Sequence, residues 1–292
     1  MQERDGYIAG VPCWVDTSQP DPEAAAAFYR GLFGWELADV MPPGAPGKYY
    51  VGRLRGGDVA AIASQSDGEP PTPVWSTYVW VDSADDAASK VAAAGGRVLM
   101  DPLDVMDAGR TALCADSEGA VFSLWQANQH KGARIVNEHG SVNFNVLNTR
   151  DLARAKSFYG AVFGWELLEL GDSGMWRLPG YGDFLEQSEP GLRERMRQSG
   201  APEGFEDVVA GLNRIADEQP AHWSVTFAVD DADAVAEKAA ELGAQVVVPP
   251  FDAPWVRMAV IADPQGATFT ASQFVPENRD VASPASSNAV ST

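Results

Sequence analysis

Apolar residues recur along this 292-residue chain with two different periods. Stretches such as VPCWVDTS, KYYVGRL, WSTYVWV, RVLM, TALCAD and AVFSLWQ carry β-branched and aromatic residues at strand spacing. By contrast, DPEAAAAFYRGLFG and SADDAASKVAAAGG place apolar residues three and four apart. The first kind predicts strands and the second helices. Asp21 and Asp151 open the first helical stretch of two similar series, and glycine closes each. An acidic cap satisfies free N–H groups, and glycine accepts the left-handed turn that ends a helix. From residue 141 the series repeats as SVNFNVLN, DLARAKSFYGAVFG, GMWRLP, WSVTFAV, DADAVAEKAAELGA, QVVVPP, RMAVIAD and ATFTASQF.

The repetition extends to individual residues. FYRGLFGWELADV from Phe28 and FYGAVFGWELLEL from Phe158 agree at seven of thirteen positions. Asp21 and Asp151 each stand seven residues upstream. Further on, Trp75 matches Trp223 and the Asp-x-x-Gly turn after Ala115 matches that after Ala262. The offsets are 130, 148 and 147, so the second copy holds an insertion of about 18 residues. It falls within 181–222, where GLRERMRQSG and GFEDVVAGLNRIADEQ have helical spacing; a lid, a partner surface and a decorated loop are all open readings. The division predicted is a first module at 8–126, a polar linker at 127–140, a second module at 141–275 and a disordered tail at 278–292. Strands interleaved with helices give an α+β chain.

Composition narrows the function. Twenty-one basic against 41 acidic side chains leave a formal charge of −20, which repels phosphate backbones and anionic membranes. Neither nucleic acid nor a membrane is an expected partner. No apolar run reaches the roughly 20 residues that span a bilayer, and MQERDGYIAG lacks the marks of a leader, so a cytoplasmic location is expected. Cys13 and Cys114 lack metal-type spacing and read as small buried apolar residues.

These landmarks resemble the vicinal oxygen chelate superfamily, which holds glyoxalases, extradiol dioxygenases and bleomycin-resistance proteins. The matching features are the acid that opens the first helix, the FY…FGWE segment, the GG-x-V or GA-x-V helix-to-strand turn and the closing Asp-x-x-Gly. They occur twice, in order, across residues 10–275. The resemblance is closest to two-module bacterial members labelled glyoxalase-like or hydroxylase, a label that fixes no reaction. It implies tandem glyoxalase-like modules of paired βαβββ units, each with a curved mixed sheet around a cavity. It also implies set metal-ligand positions, which here hold Trp14, Ser76 and Ser123 in one module and Phe144, Ser224 and Thr270 in the other. None is an imidazole, carboxylate or thiolate, so no metal and no other cofactor is expected.

Alternation along strands extends these positions into cavity linings. The first module offers Trp14, Asp16, Ser76, Tyr78, Trp80, Ser123 and Trp125; the second offers Phe144, Val146, His222, Ser224, Thr226, Thr270 and Ser272. Rings with scattered hydroxyls suit a flat, hydrophobic small molecule. Asp16 is a candidate general base or, near the strand's end, a turn cap; His222 a candidate acid or an exposed surface residue; Tyr78 a donor or a core residue. Arg110 and Arg257 could bind a carboxylate or pair with Asp107 and Asp252. Trp35 and Trp165 are expected in the core where the first helix meets the sheet. Three functions stay open: acid-base isomerisation, cyclisation or elimination of an aromatic or polyketide-like metabolite; sequestration of a toxic compound without catalysis; and metal-dependent glyoxalase or dioxygenase chemistry. Either a monomer or a homodimer is compatible with two modules in one chain.

Overall fold

In the computed structural model, which describes residues 4–66, 68, 72–170 and 173–281, the acidic residue opening each module's first helix is a side-chain cap. Asp21 accepts from the Ala24 N–H and Asp151 from the Arg154 N–H, both at 3.0 Å. The helices they open are α1 (Pro22–Phe33) and, in the second module, Leu152–Phe163. Both stop at a glycine, Gly34 and Gly164, with φ of 71° and 73°. An L side chain is disfavoured in that region, which is why the chain turns there.

The first module starts with β1 (Pro12–Gln19), α1, β2 (Glu36–Asp39), β3 (Tyr49–Leu54) and β4 (Gly57–Ser64). The pattern then recurs as β5 (Trp75–Trp80), α2 (Ala84–Ala93), β6 (Arg97–Val105), β7 (Gly109–Ala115) and β8 (Val121–Ala127). The second module repeats it with β9 (Val142–Thr149), α3 (Leu152–Phe163), β10 (Glu166–Leu170) and β11 (Ser173–Arg177). Helices α4 (Tyr181–Ser188) and α5 (Leu192–Ser199) intervene before β12 (Val208–Arg214). The chain closes with β13 (His222–Ala228), α6 (Ala232–Glu241), β14 (Gln245–Ala253), β15 (Val256–Ala262) and β16 (Thr268–Phe274). Each module is one eight-stranded mixed sheet, ordered β2-β3-β4-β1-β5-β8-β7-β6 and β10-β11-β12-β9-β13-β16-β15-β14, and neither closes into a barrel. The architecture is thus two tandem glyoxalase-like α+β modules of paired βαβββ units. Among the described residues no helix is long and apolar enough to cross a membrane.

Three expectations change. The stretch VVAGLNR, read as helical, is β12: it pairs in parallel with β9, Gly211 beside Val146, and antiparallel with β11. Flanked by strands on both sides, its short apolar run buries more as a strand than as an isolated turn of helix. The tail is structured further than expected: Pro276–Asp280 is a 3₁₀ turn, and Asn278 Nδ2 donates to Asp252 Oδ1 at 3.0 Å; residues 282–292 of that predicted tail lie outside the described residues. The segment 127–140 is packed on the first module. Ala133 N donates to Cys13 O at 2.8 Å, Arg134 N to Asp58 O at 2.7 Å, and Ile135 is buried.

The repeated FY…FGW segment packs across the two modules. Phe33 and Trp35 meet Phe227, with ring centroids 5.3 and 5.8 Å apart, and Tyr29 meets Phe269 at 6.0 Å. In the reverse sense Phe158, Tyr159 and Phe163 surround Phe122 at 5.9–6.3 Å. Trp35 Nε1 donates to Gly140 O at 2.7 Å and Trp165 Nε1 to Gly10 O at 2.8 Å, so each indole is satisfied by backbone near the other module's first strand. The helices and the facing module cover the side of each sheet that carries Val15, Thr17, Trp75 and Thr77. There Thr77 Oγ1 donates to Asn145 Oδ1 at 2.9 Å. Cys13 and Cys114 are buried, and desolvation pushes the Cys114 thiol up to about 11. Arg110 pairs with Asp85 and Asp104, and Arg257 with Asp233 and Asp252, so both guanidinium groups hold neighbouring helix and strand together.

Candidate functional site

Strand alternation places Trp14 and Asp16 on the side of β1 away from the helices, because Cys13, Val15 and Thr17 take the other side. Register then builds rows on that helix-free face, since laterally paired residues share a side. Trp14 pairs with Tyr78 and Tyr78 with Ser123; Asp16 pairs with Ser76; Trp80 pairs with Trp125. All seven first-module candidates therefore share one surface.

At its centre is a hydrogen-bonded cluster. Asp16, only 6% exposed, accepts at Oδ2 from the Tyr78 hydroxyl at 2.9 Å and from the Tyr49 hydroxyl at 3.0 Å. The Tyr49 oxygen in turn accepts from Trp14 Nε1 at 3.1 Å. Burial, then the neighbouring Asp16 charge, pushes both phenols well above their ordinary value. Both stay protonated near neutrality and act as donors. His130 closes one end of the cluster: its ring meets Trp14 edge-on at 4.3 Å and Trp125 at 5.7 Å, while its backbone oxygen accepts from Trp125 Nε1 at 3.0 Å. Desolvation lowers the His130 pKa, opposed by the Asp58 carboxylate 3.8 Å away, so the ring is neutral at pH 7.

Sequence reasoning did not find Tyr49 or His130. Tyr49 belongs to β3, two strands away from β1 in the sheet, and its neighbour Tyr50 looks the same in sequence. His130 lies in a stretch read as a linker. Its one signal was rarity, as one of three histidines.

The second module presents the same rows with smaller groups. Phe144 pairs with Thr226 and Thr226 with Thr270; Val146 pairs with Ser224. Val146 thus stands where the first module has Asp16, and Thr226 where it has Tyr78. His222, a candidate acid, begins β13, is exposed, and sits with Nδ1 2.9 Å from Pro220 O. It belongs to the other sheet, so the structure joins Asp16 to Tyr78 and leaves His222 apart. Ser224 Oγ accepts from Asn148 Nδ2 at 3.0 Å.

The donor set does not fit a divalent metal. The six positions at which the family resemblance places metal ligands hold two aromatic rings and four hydroxyls, and Asp16 is the carboxylate that the two phenols share. Among the described residues no three His, Cys, Asp or Glu side chains converge as ligands would.

Two eight-stranded sheets of fourfold βαβββ repetition define a tandem glyoxalase-like fold. The chain belongs to the Glyoxalase/Bleomycin resistance protein/Dioxygenase superfamily, whose profile matches residues 14–124 and 141–270. It is 41% identical over 283 residues to a Mycobacterium tuberculosis protein named "Putative glyoxylase CFP32", covering 95% of this chain and all of that one. It is 34% identical over 281 residues to the anthracycline biosynthesis protein DnrV of Streptomyces peucetius, covering 90% of this chain and 93% of the relative. The fold is also similar to the Mn(II)-bound glyoxalase from Novosphingobium aromaticivorans, with a TM-score of 0.59, 15% identity, and 91% of this chain and 82% of that one covered.

Proposed function

We propose that the chain is a metal-independent enzyme that acts on a hydrophobic aromatic or polyketide-like metabolite by acid-base chemistry. The observation that carries this reading is the Asp16 carboxylate held between the Tyr49 and Tyr78 hydroxyls on an aromatic face. A substrate carbonyl that replaces Asp16 as acceptor for one phenol O–H would bring an adjacent C–H to the carboxylate. The C–H bond breaks, the proton passes to Asp16, and the electron pair moves onto the carbonyl oxygen as an enolate. The phenol O–H then stabilises the developing negative charge. Return of the proton to a different atom gives isomerisation; departure of a β-substituent gives elimination; attack of the enolate carbon on a second carbonyl gives cyclisation. The names of the relatives in anthracycline biosynthesis support an aromatic polyketide as substrate.

One observation favours a second reading, a binding protein without catalysis. Two hydroxyl donors stabilise a carboxylate's charge and weaken it as a base, while the surrounding rings suit stacking. Asp16→Asn separates the two when polycyclic hydroxyquinones are offered. Under the enzymatic reading turnover falls by about 10²–10⁴ while tryptophan quenching by the ligand persists. Turnover that survives the substitution would overturn the reading. Tight binding by the unaltered protein with no product formed would establish the second.

A further inference from the structure

Beside the Asp16 cluster, on the far side of His130, lies a cavity of about 320 Å³ whose lining includes Arg4, Lys131, Arg134, Gln129, His130 and Asp58. Its charge is unusual for a chain with 41 acidic and 21 basic side chains. Three cations line it, while its carboxylates are partly spoken for: Asp58 accepts from Arg53 Nε at 2.7 Å, and Asp5 stands 3.8 Å from Arg134. Arg4 is 7% exposed, and its Nε and Nη1 have no hydrogen-bond partner among the described residues. Two of its three guanidinium nitrogens thus lack a partner, an unfavourable state for a group taken out of water that an anion against Arg4 would relieve. The segment is fixed in place by backbone bonds: Arg4 N donates to Arg134 O at 2.7 Å, and the Tyr7 hydroxyl donates to Ala133 O at 2.6 Å.

We propose that this cavity binds the oxyanion of a small metabolite, a carboxylate or a phosphate, with Arg4 as its principal partner and Lys131 and Arg134 at its rim. A guanidinium presents parallel N–H groups that match two oxygens of either anion, and Lys131 adds a point charge at the solvent side. Because His130 forms the wall between this cavity and Trp14, an anion here reports on indole fluorescence. The inference does not depend on Asp16 having a catalytic role.

The test titrates the full-length chain with inorganic phosphate and, separately, with benzoate, each against sodium chloride at matched ionic strength. Tryptophan emission and the thermal midpoint are followed together. A saturable change with either anion supports the site, and the anion that saturates at lower concentration identifies the group it recognises. Arg4→Met should weaken that binding by about tenfold or more without lowering the midpoint of the ligand-free protein, since it removes an unpaired buried charge. Lys131→Met alters an exposed side chain and should also weaken binding, so it decides the matter if the Arg4 variant does not fold. No saturation beyond the chloride control, or titration curves of both variants that superpose on the unaltered protein, would overturn the proposal.

Discussion

The Tyr159 hydroxyl, on α3 of the second module, donates to Asp116 Oδ2 in the first module at 3.0 Å, and Tyr29 returns the arrangement to Asp263 Oδ2 at 2.9 Å. Each tyrosine also accepts an indole N–H, from Trp223 at 3.0 Å and from Trp75 at 3.2 Å. Meanwhile Asp116 Oδ1 accepts from the N–H groups of Glu118, Gly119 and Ala120, fixing the turn before β8. Two repeated motifs, FY…FGW and Asp-x-x-Gly, are therefore halves of one contact made twice. Relative to an ordinary carboxyl, Asp116 is shifted upward, chiefly by burial.

Removing that hydroxyl should separate the modules energetically. In Tyr159→Phe the Trp223 N–H and Asp116 each lose a buried partner, at a cost of about 1–3 kcal/mol. Equilibrium urea unfolding would show a lower midpoint. An unchanged midpoint would show that the contact contributes nothing to stability.

Gly96, in the GG-x-V turn, faces the same junction. A Cβ there would stand 2.6 Å from Ala115 O and 2.7 Å from Phe158 Cε2 of the other module. The second module carries Ala244 at the matching place, so the turn itself accepts a methyl group and the obstacle is the surrounding packing. Gly96→Ala should cost about 1–3 kcal/mol, again read by denaturant unfolding.

Tyr49 and Tyr78 share one acceptor oxygen and should not act independently. When one hydroxyl is removed the other keeps Asp16 partnered, so the double Phe variant should lose more stability than the two single variants combined. A coupling of about 0.5–3 kcal/mol is expected from a double-mutant cycle. Simple additivity would mean that Asp16 finds replacement partners.

Acidification should loosen the wall formed by His130. Its folded pKa is depressed by desolvation, so the stability it contributes is present above the unfolded value of about 6.5 and is lost as pH falls below it, because the unfolded chain takes the proton first. The groups facing it are Trp14, Trp125 and the Asp58 carboxylate. His130→Phe should flatten the stability profile between pH 7.5 and 5.5, because the group that takes up the proton on unfolding is gone. Identical profiles would sink this account.

The metal reading has its own check. Dialysis against EDTA should leave the unfolding midpoint and ligand binding unchanged, and elemental analysis should give substoichiometric divalent metal. A full equivalent, with a midpoint that drops on chelation, would overturn the donor-set argument.

The long, strongly patterned elements were legible: Asp21 and Gly34 bracket α1 as their chemistry requires, and the segments that hold Trp14, Tyr78 and Ser123 read as strands from their residue types and spacing. What escaped was mostly short or ambiguous, but the eight-residue β4, whose small and apolar residues do not alternate, was missed as well. Strands β2 and β10 are four and five residues long, and β12 has an apolar run whose period fits either element. Of the site, Asp16 and Tyr78 were placed on one face by alternation from the ligand positions that the family resemblance implies, whereas Tyr49 was not, since strand order in the sheet is not written in any local pattern.

By itself the sequence determined the duplicated scaffold and the helix ends, because each depends on residue type at local spacing, and it puts rings and hydroxyls where the family resemblance expects metal-binding side chains. Only tertiary structure decided which partners those residues meet. It turned the repeated Phe, Tyr and Trp toward the opposite module, brought Tyr49 to Asp16, and folded the supposed linker back so that His130 meets Trp14 edge-on. Such contacts join residues 33 to 234 positions apart in the chain, and the energy that selects them, burial of rings and satisfaction of hidden polar groups, exists only once both modules are packed together.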